Sequence, residues 1–370
     1  MRSSLVSGVV LGMSVHISSC TVLSSSESSP HANSLFPRED ELDKPAIHPP
    51  FSEEIQDRHL RQDFPPQRWR CERWPKGRLP KSCVDEAEYN HFDPLDFEAV
   101  DVLYRDCAVA WTVCRHKLSD ESWISALDTL SAVPVGMRQY VSNLVLLPGN
   151  ATPISGTGET QVLAAAYTRG AVLVFTPSYF KLGVLFHEIT HILDTASLRS
   201  FLVAHSYPIT TPFSQTKFWK QAYGNDSAVP TPYSKASWQE DFADAGRWAM
   251  SHYTRKKGLA EYSRGWRGCR TQIAAFQAWM GDVIFPEGGK CTGKVAGSKA
   301  VKVGSYMVGS RPPGKPPKGL GGYGGGGMRP GKSGYGSGLG SGSGVKEIIL
   351  PEGVQNMVFV YHGVEPHGGT

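Results

Sequence analysis

The sequence predicts an α+β fold, in which a small mixed sheet packs against one central helix and a helical half follows. Two short apolar runs, Gln161 to Tyr167 and Ala171 to Phe175, flank a glycine-containing turn and predict neighbouring strands. The stretch from Leu185 to Asp194 contains His-Glu-x-x-His, with apolar residues at helical spacing. Residues 20–65 and the glycine-rich stretch near the C-terminus contain few apolar clusters, so we expect disordered tails.

Further elements are expected in order along the chain. The segment from Tyr104 to Arg115 indicates a strand or a tight loop closed by its own cysteines. A strand is expected at 143–147, and helices are expected at 119–130, 238–256 and 269–281. The central helix is expected to start near Thr176-Pro177-Ser178. Its buried stripe is predicted to consist of Phe180, Val184, His187, His191 and Asp194.

Residues 1–19 have the pattern of a secretory signal peptide, with Arg2 before an apolar run too short to span a bilayer. Two alternatives remain open. Ile17-Ser18-Ser19-Cys20 also resembles a bacterial lipoprotein box, which would make this a lipoprotein peptidase lipidated at Cys20. The other alternative is an ordinary cytosolic N-terminus. Residues 20–65 are rich in serine, proline and charge and predict a disordered leader or a propeptide, before a domain at 66–300.

The formal net charge of +4 arises mainly from the glycine-rich stretch. Residues 303–344 contain five basic residues and no acidic one, so the rest of the chain is close to neutral and gives no argument for nucleic-acid binding. We expect residues 301–344 to be a linker, either a solvated spacer or a contact to an acidic partner or the cell wall. Residues 345–370 are expected to be a C-terminal apolar segment and tail, in which residues 345–362 regain apolar character and form a hairpin that docks on the sheet. No later run is long enough to span a membrane.

Cysteine usage also favours secretion. Besides Cys20 there are six cysteines, an even number that in an exported chain predicts three disulfides. Closeness in sequence favours the pairs Cys71–Cys83, Cys107–Cys114 and Cys269–Cys291. Asn150 and Asn225 begin glycosylation sequons, which matter only in a eukaryotic secretory route.

The His-Glu-x-x-His stretch predicts a zinc site. On a helix, His187 and His191 leave the same face one turn apart, so both can reach one Zn²⁺ ion at roughly 2.0–2.1 Å. Glu188 lies about 100° round the helix, where it can hold and deprotonate a water. The alternative is a buried amphipathic helix whose histidines only form hydrogen bonds.

A third ligand is expected downstream. Glu240 is the best candidate, since it starts a predicted helix with enough chain before it to return beside the first. The same residue completes a capping box with Ser237, which is a purely structural alternative. Asp241 is the rival ligand, but it points about 100° away from the face that Glu240 shares with Asp244.

The spacing of these residues resembles the zinc peptidases of the anthrax lethal factor type. Tyr233 precedes Glu240 by seven residues, and Asp244 follows it by four, where that group usually has a glutamate. A longer run of motifs resembles the fungal conidiation-specific proteins of the thirteen type, over about residues 68–295. It comprises Tyr104-Arg105-Asp106-Cys107 with Trp111, Cys114-Arg115, Val133 to Arg138 and the zinc motif.

The resemblance implies a zincin-like, secreted zinc peptidase acting on a protein or peptide. In this expectation His187, His191 and Glu240 hold one Zn²⁺, Glu188 is the general base, and Tyr233 stabilises the oxyanion. Asp194 could accept an imidazole N–H or could lie in solvent, and Asp244 could accept an N–H from His187 or support Tyr233. The alternative is a spore or cell-wall protein that retains a structural or relic zinc site.

Overall fold

The computed structural model describes residues 42–149, 152–153, 160–161, 166–286, 288–304, 346–348 and 358–361. The predicted signal peptide, Cys20, residues 21–41, Asn150 and nearly all of the glycine-rich stretch lie outside these residues. Within them, no helix is long and apolar enough to cross a membrane.

The described strands are β1 (Trp69–Arg73), β2 (Arg78–Pro80), β3 (Phe97–Tyr104), β4 (Trp111–His116), β5 (Asn143–Leu146), β6 (Thr152–Pro153), β7 (Thr160–Gln161), β8 (Ala166–Arg169), β9 (Val172–Phe175), β10 (Gly293–Val295), β11 (Ala300–Lys302), β12 (Lys346–Ile348) and β13 (Val358–Tyr361). The α-helices are α1 (Glu53–Asp63), α2 (Lys81–Tyr89), α3 (Trp123–Ser131), α4 (Val135–Arg138), α5 (Leu182–Ala196), α6 (Arg199–Ala204), α7 (Lys217–Gly224), α8 (Trp238–Thr254) and α9 (Arg270–Met280).

The predicted α+β class with a mixed sheet is confirmed. The main sheet has the order β1-β3-β4-β5-β9-β8-β13. The β4–β5 and β5–β9 pairs are parallel, and the other pairs are antiparallel. Apart from the short strands β10 to β13, the described chain after β9 contains helices and 3₁₀ turns, as expected for a helical second half.

The two faces of the sheet are buried by different elements. Val102, Trp111 and Leu173 point into the large core that contains α5. Ala99 and Cys114 point the other way, into a smaller core that includes the α2 residue Cys83. Because side chains alternate along a strand, neighbouring residues of β3 and β4 belong to different cores.

The central helix α5 differs from the prediction in its start and in its burial. It begins at Leu182, because a separate 3₁₀ turn at Pro177–Tyr179 and an extended Lys181 precede it. All of its residues are buried, and not only a single stripe, because α5 packs against α1, α8 and β8. A helix that is buried on every side occupies a core position, and its polar side chains then need partners inside the protein.

The domain begins earlier than the predicted boundary at residue 66. Ser52 caps α1 through its hydroxyl, and α1 packs against α5 and α8. Gln56 is fully buried, where its Nε2 donates to the Arg247 carbonyl at 3.2 Å and its Oε1 accepts from the Arg247 guanidinium. The interpretation of residues 20–65 as a disordered leader is therefore wrong for residues 42–65, which belong to the folded domain.

The C-terminal segment joins the sheet, but not as a hairpin. β13 pairs with β8 in the main sheet, whereas β12 pairs in parallel with β10. Residues just after the predicted domain end at 300 are also ordered, since β11 pairs with β2.

The predicted disulfide pairs are wrong. The structure pairs Cys83 with Cys114 and Cys107 with Cys291, and it leaves Cys71 exposed and Cys269 buried as thiols. Cys71 lies opposite Val102, on the α5 side of the sheet, whereas Cys83 lies on the α2 side. Cys107 and Cys114 likewise belong to different cores. The sheet thus separates the partners of the first two predicted pairs, and in the third pair Cys291 bonds to Cys107 instead of Cys269.

The Cys83–Cys114 bridge ties α2 to β4 across 31 residues of sequence. Restriction of the unfolded chain by a loop of this length predicts about 3–4 kcal/mol of stabilisation. We therefore expect the double variant Cys83→Ala/Cys114→Ala to lose about that much unfolding free energy in urea titrations. Cys71→Ala, a matched change at an exposed thiol, should cost less than about 0.5 kcal/mol. Equal losses of unfolding free energy in the two proteins would contradict the Cys83–Cys114 disulfide.

Candidate metal centre

Helix α5 presents two histidines to one point inside the protein. His187 and His191 are fully buried, and their Nε2 atoms lie 3.2 Å apart. The ring planes are nearly perpendicular, at 85°. Two Nε2 atoms that face each other at this distance are the arrangement expected of imidazoles that share one cation.

Helix α8 brings a carboxylate to the same point. Glu240 Oε2 lies 3.0 Å from His187 Nε2 and 3.3 Å from His191 Nε2. Donors on neighbouring corners of a tetrahedron around Zn²⁺ are about 3.3 Å apart when each bond is about 2.0 Å. The three atoms therefore fit a zinc ion without rearrangement, and these residues are the described group whose donors converge for a metal.

Glu240 also occupies the helix position that the capping interpretation required. Ser237 is the N-cap of α8, and its hydroxyl accepts from the Glu240 N–H at 3.2 Å. The serine half of the capping box is thus formed, while the glutamate side chain faces the imidazoles. The rival ligand Asp241 faces elsewhere, because its Oδ2 accepts from Trp219 Nε1 at 2.9 Å.

Asp244 contacts His187, one of the two partners expected for it from the sequence. Asp244 is fully buried, and its Oδ1 accepts a hydrogen bond from His187 Nδ1 at 3.0 Å. Its other oxygen accepts from the Ser234 hydroxyl at 3.0 Å and from the Thr231 hydroxyl. One carboxylate therefore fixes the His187 ring and holds the turn at Thr231–Ser234. The spacing of residues in the sequence did not predict that either hydroxyl would bond to Asp244.

Tyr233 lies in that turn, beside the metal centre. Its ring centroid is 5.9 Å from that of His187, and the ring is half-buried. Its backbone N–H donates to the Thr231 hydroxyl at 3.1 Å. The structure therefore brings Tyr233 next to the converging donors, through the turn that Asp244 holds.

Asp194 holds a different loop. Its two oxygens accept from the backbone N–H and the hydroxyl of Ser214, both at 2.7 Å. Burial raises the pKa of Asp194 to about 7, against the opposing effect of the Ser214 hydrogen bonds. The expected role of Asp194 is therefore wrong, since its oxygens accept from Ser214 and not from an imidazole, and the alternative position in solvent is wrong as well, because Asp194 is fully buried. Its hydrogen bonds to Ser214 join the end of α5 to the 3₁₀ turn at Phe213–Gln215.

Glu188 is the buried group at this centre that lacks hydrogen bonds. The residue is fully buried, and neither carboxylate oxygen has a hydrogen-bond partner among the described residues. Burial raises the pKa of Glu188 well above its usual value, although the nearby His187 lowers it in part. An unpaired buried carboxyl is costly, so a polar ligand such as water or a metal fits beside it.

The surroundings shift the pKa values of the two histidines and of Glu240 in different directions. Burial lowers the pKa of His187, but hydrogen bonds with Asp244 and Glu240 outweigh it and raise the value to about 10. Burial likewise raises the pKa of Glu240, but the two imidazoles outweigh it and lower the value to about 2. Burial lowers the pKa of His191 despite the opposing effect of Glu240. The centre thus favours an anionic Glu240 beside one cation, which a metal ion would replace.

The approach of α5 and α8 depends on a glycine. A Cβ at Gly246 would lie 2.6 Å from Thr190 Cγ2 and 2.7 Å from Phe276 Cζ. Thr190 lies on α5 between the two histidines. The missing side chain at 246 therefore allows the close packing that carries Glu240 to the imidazoles.

We expect Gly246→Ala to lower the free energy of unfolding by about 1–3 kcal/mol, because the added methyl group overpacks this contact. Zinc affinity should fall with it, since α8 must move away from α5. The control is Gly224→Ala at the end of α7, where an added Cβ would have no atom within 4 Å. Denaturant titrations and competitive zinc titrations measure both effects. Unchanged zinc affinity in Gly246→Ala would contradict this account of the contact.

Asp244→Asn should weaken zinc binding by about 10- to 100-fold, because the variant removes the carboxylate that orients His187. Asp241→Asn is the matched control, since it changes a buried aspartate of the same helix that bonds Trp219 instead. It should leave zinc affinity unchanged. Competition with a chromogenic chelator gives both affinities, and a larger loss in Asp241→Asn would restore Asp241 as the ligand.

Comparison with known proteins agrees with part of the sequence-based expectation. The family model for conidiation-specific protein Con-13 matches residues 55–263, more than half of the chain, and this range includes α5 and Glu240. Conidiation-specific protein 13 of Neurospora crassa is 30% identical over 195 residues, which are 50% of this chain and 49% of that protein. The chain thus spans about half the length of the curated relative it matches. No solved structure matches. The chain belongs to the conidiation-specific protein Con-13 family.

Proposed function

We propose that this protein is a secreted, zinc-dependent endopeptidase. The observation that carries the proposal is the convergence of His187, His191 and Glu240 at mutual donor distances of 3.0–3.3 Å beside the unpaired carboxyl of Glu188. A purely structural zinc site usually has four protein ligands, whereas a catalytic site has three and an open position. Three convergent donors and one adjacent carboxyl match the catalytic pattern.

Each residue of this centre has its own proposed role. His187, His191 and Glu240 would hold the ion. Bound zinc supplies Lewis acidity, which polarises a peptide carbonyl and lowers the pKa of water. Glu188 accepts a proton from the attacking water and returns it to the leaving amine. Its lack of protein partners among the described residues supports this role, because its oxygens are available for that proton.

Tyr233 is proposed to donate a hydrogen bond to the oxyanion. Its position beside His187 supports this role, and so does its turn, which Asp244 holds through Thr231 and Ser234. Asp244 acts as a positioning residue, since its hydrogen bond fixes which imidazole nitrogen of His187 faces the ion.

A zincin-like fold and secretion are part of the same proposal. The central helix with two metal-binding histidines, packed between a mixed sheet and a second helix with the glutamate, supports a zincin-like arrangement. Two disulfides and an exposed Asn225 in its sequon agree with export through a secretory route. Peptide or protein is the substrate class that this chemistry implies.

One observation favours the non-catalytic alternative. Glu188 and both histidines have no exposed surface, and Glu240 is only 8% exposed. A site closed to solvent can hold zinc in a spore or cell-wall protein without turnover. Activity therefore requires that a peptide gain access to the centre.

The variant Glu188→Gln separates the two functions. It keeps the three donors, so we expect about one zinc per chain by elemental analysis, as in the parent. Hydrolysis of a peptide library should fall by about 100- to 10,000-fold, because the general base is lost. Glu240→Ala is the companion variant and should lose both zinc and hydrolysis.

Three results would contradict the peptidase. Hydrolysis that survives in Glu188→Gln would assign it to another site or to a contaminant. Zinc in the parent with no cleavage of any library peptide would favour the non-catalytic alternative. Absence of zinc from the parent after reconstitution would reject the metal centre itself.

A further inference from the structure

The last strand of the main sheet comes from the far end of the chain. Residues 358–361 pair antiparallel with β8, with Val358 opposite Arg169 and Tyr361 opposite Ala166. Strand β8 pairs with β9 on its other side. Without β13, the β8 backbone would present an open sheet edge, and an extended peptide can add to such an edge through main-chain hydrogen bonds.

This edge lies at the helix that carries the metal-binding histidines. Helix α5 packs against both β8 and β13. Strand β13 therefore occupies the position that an extended peptide would take if it added to the sheet beside α5.

The side of β8 that faces α5 carries a buried hydroxyl, which is the second observation. Tyr167 and Arg169 point to the α2 side, where both contact Glu86. The alternate residues Ala166 and Thr168 therefore face α5. Thr168 is 1% exposed, and its hydroxyl has no hydrogen-bond partner among the described residues. A buried, unpaired hydroxyl between β8 and α5 is suited to a polar side chain of a peptide that adds to β8.

The sequence that leads from β11 to the two last strands, β12 and β13, has an unusual composition. Between residues 304 and 344 the chain contains 17 of its 40 glycines and no acidic residue. Such a composition predicts a linker, which keeps a tethered strand at a local concentration in the millimolar range. Because β12 pairs with β10, residues 349–357 are the sequence that tethers β13 while β12 stays in place.

We propose that β13 is an intramolecular competitor of the peptide substrate, bound to the edge of β8 where the substrate strand would add. This inference rests on the proposed peptidase function. It names an extended peptide as the ligand of the β8 edge. A substrate must displace β13, so the full chain is held at low activity.

The test keeps the chain at full length. Phe359→Pro/Val360→Pro places two consecutive prolines in β13, so at least one lost N–H had faced β8. Gln355→Pro/Asn356→Pro is the matched control, since these residues precede the strand that pairs with β8. The probe is a labelled synthetic peptide of residues 354–365, and its binding is followed by fluorescence anisotropy.

We expect the peptide to bind the Phe359→Pro/Val360→Pro chain and to bind the parent and the control at least about tenfold more weakly, because their edge is occupied. The same variant should hydrolyse library peptides at least about tenfold faster at low substrate concentration, with its zinc content unchanged. Added peptide should reverse this gain competitively, through KM and not through kcat.

The outcomes separate the two proposals. Equal peptide binding by all three proteins, or by none, overturns the competitor proposal whatever the activity. Preferential binding with unchanged hydrolysis also overturns it and makes β13 a structural strand. Preferential binding with no hydrolysis by any protein, despite a full complement of zinc, overturns the proposed peptidase function and leaves a peptide-docking edge.

Discussion

The close packing of α5 against α8 is the contact on which the candidate metal centre depends. Gly246 permits it, because any side chain there would collide with Thr190 between the two histidines. Glu240 lies less than two turns before Gly246 on the same helix, so its distance from the imidazoles follows from this spacing. Helix α1 supports the pair from the other side, since Gln56 contacts Arg247 of α8. Close backbone packing here places three donors within 3.3 Å of one another.

Burial and charge at the centre are balanced almost everywhere except at Glu188. His187 lies between two carboxylates, Glu240 and Asp244, and the guanidinium of Arg247 lies 3.8 Å from Asp244. Each of these groups therefore has a partner of opposite charge that offsets its desolvation. Glu188 has no such hydrogen-bond partner among the described residues and contributes nothing evident to stability. A buried charged group whose desolvation is not offset by a partner is typical of functional sites.

Both ends of the described chain pack close to the elements of the centre. At the N-terminal end, Leu42 donates its N–H to the Lys235 carbonyl, and Ile47 and Val229 are linked by a backbone hydrogen bond. These contacts brace the loop that carries Tyr233. At the C-terminal end, β13 lies against β8 and α5. Sequence separation is thus a poor guide to which residues lie beside the centre, because the sheet edge and the loop are each completed by distant segments.

Local pattern in the sequence determined the α+β class, the approximate positions of β5, β9, α8 and α9, and the convergence of His187 with His191. Helical geometry alone relates residues four positions apart, and turn residues and apolar periodicity mark the ends of elements. Tertiary structure decided the choice of the acidic residue at the centre, the folding of residues 42–65 and the pairing of the cysteines. The choice of Glu240 over Asp241 depended on which way α8 faces α5, and the folding of residues 42–65 depended on pockets made by distant helices. Cysteine pairing depended on the sheet, which places Cys83 with Cys114 on one face and Cys107 on the other. These outcomes are set by contacts between residues far apart in the chain, and no local pattern records such contacts.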